Sequence, residues 1–258
     1  MSVFGSYSRY YNLLYKDKDY VGEAAYLAAL LKRHSTAPVQ TLLELGCGTG
    51  KHAALLGGTG IRVTGVDRSP EMIDQARGLA ESLSGIPESA RPSFHQGDIA
   101  SVRFSEKFDA VCSLFHVMSY QTSNEDLMAA FRTAREHLNP GGLFLFDVWY
   151  GPAVLTDRPA VRIKRMSDDH GEIVRLAEPG LNPAENVVEV NYEIIVRGGE
   201  SAGSESLKET HRMRYLFGPE LALFALQSGF SDIVHSEEWM TGRRPGFDTW
   251  GVVYGAKA

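Results

Sequence analysis

Hydrophobic and polar positions along the chain follow two different periods, and the change of period divides it. From about residue 9 to 34, Tyr11, Leu14, Tyr15, Val21, Ala24, Ala25, Leu27, Ala28 and Leu31 recur at helical spacing. The polar run Lys16-Asp17-Lys18-Asp19 interrupts them, which predicts two helices joined by a turn before Pro38 closes the region. An apolar strand pattern, Thr41 to Leu45, then runs straight into Gly46-Cys47-Gly48-Thr49-Gly50, and a short helix follows until Gly57-Gly58. A second strand, Ile61 to Val66, ends at Asp67. Ser69 and Pro70 have the chemistry of a helix N-cap and first turn, with Met72, Ile73, Ala76 and Leu79 as the inward face.

The alternation continues with a short strand around Phe94 that ends near Gly97-Asp98, then a strand at 108–112 and an amphipathic helix from Glu125 to Leu138. Asn139-Pro140-Gly141-Gly142 predicts a turn before the strongly apolar strand Leu143–Phe146. Strands alternating with helices of this length predict an α/β fold with a parallel sheet covered on both faces. From about Val161 to Phe217 the period becomes two, as in residues 187–196, with turn signals at Asp169-His170-Gly171 and Arg197-Gly198-Gly199. That segment predicts an inserted antiparallel sheet. A helix from Pro219 to Ser228 and strands around Val234 and Trp250–Tyr254 complete the chain. The organisation expected is a helical cap (1–39), a ligand-binding core (40–159), the inserted sheet as acceptor wall or subunit contact (160–217), and completion of the core sheet (218–258).

Composition adds exclusions. With 26 Lys+Arg against 32 Asp+Glu in 258 residues the formal charge is −6, which argues against a nucleic-acid partner held through its phosphates. No apolar run approaches the ~20 residues of a membrane helix. The N-terminal text lacks the basic-then-apolar order of a signal peptide. Two cysteines far apart, Cys47 and Cys112, suggest neither a metal knuckle nor a disulfide framework. These features predict a soluble, cytoplasmic protein.

The glycine run carries the chemistry. Glycines after a first strand let backbone approach a ligand closely, but dinucleotide-binding proteins also place them there. A nicotinamide site would want G-x-G-x-x-G, whereas this chain reads G-C-G-T-G. Glu44 precedes the first glycine, Asp67 follows at the next strand end, and Gly97-Asp98-Ile99 follows the third strand. An acid at the second strand end is placed to accept from both hydroxyls of an adenosine ribose. Asp98 could accept from an adenine amino group while Ile99 packs the ring.

Residues 41–149 resemble a class I S-adenosylmethionine-dependent methyltransferase, a Rossmann-like α/β fold, through ELGCGTG (44–50), GVDRSPEMIDQAR (65–77), HQGDI (95–99), FDAVCSLFHVMSY (108–120) and LNPGGLFLFDVW (138–149). The resemblance implies S-adenosylmethionine as cofactor, S-adenosylhomocysteine as product, and cofactor binding by Tyr11, Glu44, Gly46, Cys47, Gly48, Gly50, Asp67, Met72, Asp98, Ile99, Leu114 and Phe115. The tyrosine-rich opening, residues 11–20, is similar to that of bacterial nucleotide-linked amino-sugar N-methyltransferases of the desosamine and mycaminose type, in which such a segment closes over the active site. Shared too are HQGD at 95–98, the F-x-A-V-x-S-x-F pattern at 108–115 and Asp147-Val148-Trp149. Residues 149–159 (WYGPAVLTDRP) and 211–217 (HRMRYLF) depart from that family's text.

Methyl transfer from a sulfonium needs a neutral lone pair on the acceptor. An amine of pKa near 8 is about one-tenth neutral at pH 7, a penalty of roughly 1.4 kcal/mol, whereas a sugar hydroxyl needs a strong base or a metal. Alignment itself can supply roughly 7–11 kcal/mol. Asp168-Asp169-His170 reads as a hydrated turn more readily than as a divalent-ion site, so no metal is expected and nitrogen is favoured. Tyr15 and His116 are the candidate catalytic residues, each with an alternative as a packed, satisfied side chain. Tyr120 and Trp149 are candidates for the substrate mouth. Arg212 and Arg214 share one strand face and could clamp a diphosphate, or simply be solvated. His52 is expected at the surface, and Cys47 lacks the partner a nucleophile needs. The function expected is methylation of a small molecule, on the amine of a nucleotide-linked amino sugar. A small-molecule O-methyltransferase, an amino-acid N-methyltransferase and a non-catalytic S-adenosylmethionine-binding protein are the alternatives, and a homodimer is compatible with the sequence.

Overall fold

A computed structural model of the chain describes residues 8–84, 87, 90–168, 171–197 and 204–258. Two helices, α1 (Ser8–Leu14) and α2 (Tyr20–His34), precede the sheet, and Asp19 caps α2 by accepting from the Gly22 amide. Strands β1 (Thr41–Leu45), β2 (Arg62–Asp67), β3 (Ser93–Gln96), β4 (Phe108–Ser113) and β5 (Leu138–Tyr150) then lie parallel in the order β3-β2-β1-β4-β5. Helices α3 (Lys51–Gly57), α4 (Pro70–Ser82) and α5 (Asn124–Glu136) cross between them. The Ser69 hydroxyl accepts from the Met72 amide at the start of α4, the cap expected from Ser-Pro.

Strand β5 shows why the core has two layers. Its side chains alternate: Phe144, Phe146 and Val148 enter one apolar cluster with Leu127, Phe131 and Phe224, whereas Leu143 and Leu145 enter a second with Leu27, Leu30 and Ala53. Sheets of this kind, buried on both faces, read as continuous apolar runs. Beyond helix α6 (Gly151–Thr156) comes the inserted sheet, β6 (Arg162–Asp168), β7 (Gly171–Asn182), β8 (Val187–Arg197) and β9 (Ser204–Leu216), paired antiparallel in sequence order. The chain closes with α7 (Gly218–Gln227), β10 (Asp232–Glu238) and β11 (Gly251–Lys257), β11 running antiparallel to both β5 and β10.

The inserted sheet is continuous with the core. Tyr215 and Leu216 at the end of β9 pair in parallel with Trp149 and Tyr150 at the end of β5. Along β8, Val188, Val190 and Ile194 are buried while Glu189 and Asn191 face solvent. The inner face packs on α1 through Ile173, Ile194, Met166, Leu14 and Tyr11. The sheet therefore has one apolar side, and that side closes over the end of the core where β1, β2 and β4 terminate.

Three local expectations need correction. Residues 139–142 are not a turn before a new strand: β5 runs through them, with Phe108 opposite Leu138 and Ala110 opposite Leu143, so the extra residues bulge out at Gly141 (φ +75°). Helix α6, inside WYGPAVLTDRP, has no counterpart among the expected elements, although Pro152 in its first turn is a helix-start signal. His52 is buried, its Nε2 2.7 Å from Glu23 Oε2. The reason is Glu23, a carboxylate on α2 that is itself buried and receives Lys18, His52 and Trp239 as partners. Burial alone would raise its pKa, but the hydrogen bonds from His52 and Lys18 hold it at about 2.

Candidate active site

The C-terminal ends of the parallel strands open into a cavity of about 440 Å³, the place where open α/β sheets bind ligands. One half is built by the core. The amides of Gly46 and Cys47 both donate to Val66 O (2.7 and 2.8 Å), which folds the glycine loop onto β2. Gly46 has φ +80°, and a Cβ there would stand 2.5 Å from Val117. Gly48 (φ +53°) has open space where its Cβ would be, so backbone alone borders the cavity. Asp67 accepts from the Gly48 amide through Oδ2 and from the Ser69 amide through Oδ1, both at 2.9 Å. Burial pushes its pKa up, against those two hydrogen bonds.

Beneath the loop, Glu44 is 1% exposed and one carboxyl oxygen is buried without a partner. Burial, with the Asp67 charge adding, raises its pKa to about 8. The Cys47 thiol is pushed well above its ordinary value by burial, so it stays protonated. Met72, Asp98, Ile99, Leu114 and Phe115 line this half of the cavity, with Tyr11 and Tyr15 over it from the N-terminal segment. Gly50 does not line it: its Cα faces the Phe94 ring, so its part is to let the loop pack on β3.

His116 sits at the junction of the two halves. Phe115 and His116 both have φ +63°, an uncommon conformation for non-glycine residues that clusters at functional sites. Asp147, at the end of β5, holds the turn: both its oxygens lie 3.1 Å from the His116 amide, and Oδ2 lies 2.6 Å from the imidazole Nδ1. That contact is close but not in hydrogen-bond geometry, so the buried Nδ1 has an ion-pair neighbour and no hydrogen-bond partner. Tyr15 packs edge-on to Phe115 (5.1 Å between centroids) and its hydroxyl accepts from Arg175 at 3.4 Å.

The other half is contributed by residues after β4 and by the inserted sheet. Tyr120, Trp149, Tyr192, His211, Arg212 and Met213 line it. Trp149 is held by its amide donating to Ser119 Oγ (3.0 Å). The arginine pair divides. Arg212 borders the cavity but is half-exposed and paired with Glu185 (2.8 Å) and Glu189 (3.1 Å). Arg214 is buried away from the cavity in an ion pair with Glu220, because the turn at Phe217 into α7 brings that carboxylate against β9. It is not placed to clamp a ligand.

Sequence reasoning missed Asp147 as the partner of His116, and missed Tyr20, Lys51, Tyr192 and His211 as cavity residues. The signal for His211 was present in the departure of residues 211–217 from the resembled text. Among the described residues no group of three or more His, Cys, Asp or Glu side chains is placed to hold a metal ion. Asp169 and His170 lie outside the described residues, as does the side chain of Asp168. Among the described residues no helix is long and apolar enough to cross a membrane.

Comparison with known proteins agrees with this geometry. Residues 42–142 match the methyltransferase domain family. The chain is 34% identical over 149 residues to the dTDP-3-amino-3,4,6-trideoxy-alpha-D-glucopyranose N,N-dimethyltransferase of Streptomyces venezuelae, covering 57% of this chain and 59% of that one. It is 28% identical over 255 residues to the dTDP-3-amino-3,6-dideoxy-alpha-D-glucopyranose N,N-dimethyltransferase of Streptomyces fradiae, covering 98% and 92%. The aligned part thus spans about three-fifths of the first relative and nearly all of the second. In fold, the chain superposes with TM-score 0.81 on an S-adenosylmethionine-dependent methyltransferase from Clostridium acetobutylicum (21% identity, covering 98% of this chain and 99% of that one). It superposes with TM-score 0.79 on DesVI from Streptomyces venezuelae (24% identity, covering 100% of both).

The chain thus matches the methyltransferase domain family over residues 42–142 and, over its whole length, shares its fold with S-adenosylmethionine-dependent methyltransferases of known structure.

Proposed function

We propose that the protein transfers methyl groups from S-adenosylmethionine to the amine of a nucleotide-linked amino sugar. The observation that carries this reading is one continuous cavity with two unlike halves: a glycine-loop half with a fixed carboxylate, and an aromatic half open beside it. Its support in substrate class comes from the relatives, two of which, matched over 59% and 92% of their lengths, are named as N,N-dimethyltransferases of dTDP-linked amino sugars.

The residues present fit the cofactor. Asp67 is oriented by two amides and borders the cavity, as an acceptor for two ribose hydroxyls must. Gly48 offers bare backbone for the methionine portion, and Met72 and Ile99 offer apolar walls to a purine. When bound, S-adenosylmethionine supplies a methyl group on a positive sulfur, displaced in line by a nitrogen lone pair. Tyr15 and His116 approach the acceptor half from opposite elements and orient the amine. Asp147 holds the His116 backbone amide and stands 2.6 Å from its Nδ1, which positions the residue at the junction of the two halves. Trp149 and Tyr120 form the aromatic wall that excludes water. The partner is then a small molecule rather than a nucleic acid.

The direct test uses isotopically labelled S-adenosylmethionine with dTDP-3-amino-3,6-dideoxyglucose, read by mass spectrometry. Successive addition of methyl groups to the amine is expected. Transfer to the 3-hydroxy analogue but not to the 3-amino compound would overturn the nitrogen assignment.

A further inference from the structure

A second imidazole–carboxylate pair, whose His211 lines the cavity, is not used by anything above. Tyr120, at the end of the short 3-10 turn Val117–Tyr120, lines the cavity and places its hydroxyl 2.8 Å from His211 Nδ1. His211 Nε2 lies 3.2 Å from Glu209 Oε2. His211 and Glu209 are two apart on β9 and so share a face. The imidazole is 3% exposed and sits edge-on to Tyr192 of the neighbouring strand, with ring centroids 4.9 Å apart.

The partners determine which nitrogen carries the proton. An ionised carboxylate only accepts, so Glu209 calls for hydrogen on Nε2. Nδ1 is then a lone pair, and the Tyr120 O–H donates to it. Having donated that proton, the phenolic oxygen keeps its lone pairs, and since Tyr120 lines the cavity these suit an N–H of an ammonium group. The logic is that of a carboxylate-oriented imidazole acting on a hydroxyl, with tyrosine as the hydroxyl. Among the described residues, the charged and titratable groups seen against His211 include Glu209 on its own strand, Tyr120 from the core and Tyr192 from β8, the last with the Arg175 guanidinium 5.4 Å over its ring.

We propose that Tyr120, His211 and Glu209 form the path by which the acceptor ammonium gives up its proton before each methyl transfer. The proposal rests on the amine reading above. The N–H bond of the ammonium breaks and its proton joins the Tyr120 oxygen as the Tyr120 proton moves to His211 Nδ1. The nitrogen keeps the electron pair that then attacks the methyl carbon, while the imidazolium is balanced by the Glu209 carboxylate. Glu209, whose side chain is 14% exposed, returns the proton to water and resets the path. Carrying a primary ammonium to the dimethylated product sends two protons along this path, one before each transfer, and the product leaves as a dimethylammonium.

Two measurements test this on the full chain. Nitrogen-15 NMR of histidine-labelled protein, with His211→Phe to assign the signal, is expected to show the Nε2–H tautomer at His211. The Nδ1–H tautomer would make Tyr120 the acceptor and overturn the path. In kinetics with dTDP-3-amino-3,6-dideoxyglucose, Tyr120→Phe and His211→Phe are expected to lose about tenfold in kcat/KM about one unit below the acceptor's pKa, the share of amine that is then still protonated. They should converge on wild type well above a pKa of about 8, where the amine is already neutral. The double variant should be no worse than either single one, since the two act in series. No loss, or an equal loss at every pH accompanied by a lower Tm, would overturn the path in favour of a packing role. Failure of the wild type to methylate this probe counts against the amino-sugar reading alone, and the tautomer then decides the path.

Discussion

The two halves of the cavity are built from different materials. The core half is defined by backbone: amides of Gly46, Cys47, Gly48 and Ser69 fold the loop and aim Asp67, and behind it lies a buried polar scaffold of Glu23, His52, Lys18 and Trp239. The acceptor half is defined by side chains, with Tyr120, Trp149, Tyr192 and His211 drawn from separate stretches of chain. A backbone-defined site tolerates few changes, because the glycine conformations and close contacts are over-determined. A side-chain-defined site can be respecified while its strands stay in place. The contrast predicts that substitutions in the core half act on stability and cofactor affinity, and those in the acceptor half on turnover and substrate choice.

The largest expected effect tests the core half through Glu44. Its carboxyl is fully buried and its pKa is raised to about 8 by burial and by Asp67. The folded protein therefore keeps a proton that the unfolded chain releases near the ordinary glutamate value. Stability from this group is complete below about pH 4 and declines as the pH rises, levelling off above about 8. Across that window the wild type should lose on the order of a few kcal/mol relative to Glu44→Gln, which has no charge to bury. Urea unfolding of both proteins at several pH values measures the gap. A constant gap from acid to alkaline pH would show that Glu44 is ionised in the fold.

Next in size is Asp67→Ala, which removes the acceptor that two amides hold in place. Loss of a hydrogen bond to a charged group is worth about 1.5–3 kcal/mol, or roughly ten- to 150-fold in S-adenosylmethionine affinity. Calorimetry at wild-type affinity would sink the ribose assignment. An accompanying loss of acceptor affinity would erase the distinction between the halves.

At the junction, His116 is expected to matter less. If its part is alignment, His116→Asn should lower kcat by roughly tenfold, about 1.4 kcal/mol, and His116→Ala by more. Neither should recover selectively with alkali. Loss of an essential base costs about 10²–10⁴-fold, so variants nearly dead near neutrality and restored at high pH would instead assign the base to His116.

The same contrast explains what could be read in the sequence. The order of core elements, the glycine loop and Asp67 were legible because each depends on local pattern: period, a turn that needs φ above zero, an acid at a strand end. The inserted sheet was legible as well, since β8 alternates cleanly over Val188, Val190 and Ile194. Pairings between distant residues were not. His52 looked like a surface residue because nothing near it in sequence announces Glu23, 29 residues earlier, as a buried carboxylate. Arg212 and Arg214 looked equivalent at a spacing of two. Only the turn into α7 brings Glu220 to one of them and leaves Glu185 and Glu189 for the other. His116 was visible as a candidate, but the Asp147 contact that orients it joins the ends of two strands.

The smallest expected effect concerns Arg212, and it sharpens the comparison most at the acceptor half. Its guanidinium borders the cavity, yet it is already paired with two half-exposed carboxylates. Exposed pairs of this kind are worth about 0–1 kcal/mol, so Arg212→Ala should change stability by no more than that. To clamp a diphosphate the arginine would have to exchange Glu185 and Glu189 for phosphate oxygens, which leaves two carboxylates beside a dianionic ligand. Repulsion between those charges offsets the attraction of the guanidinium for the phosphates. The KM for a dTDP-linked amino sugar should therefore shift by less than about threefold, roughly 0.6 kcal/mol, and S-adenosylmethionine affinity should not move. A rise in KM of tenfold or more for the nucleotide-linked sugar, absent with the nucleotide-free sugar, would place the diphosphate on β9. The acceptor half would then recognise charge as well as aromatic shape.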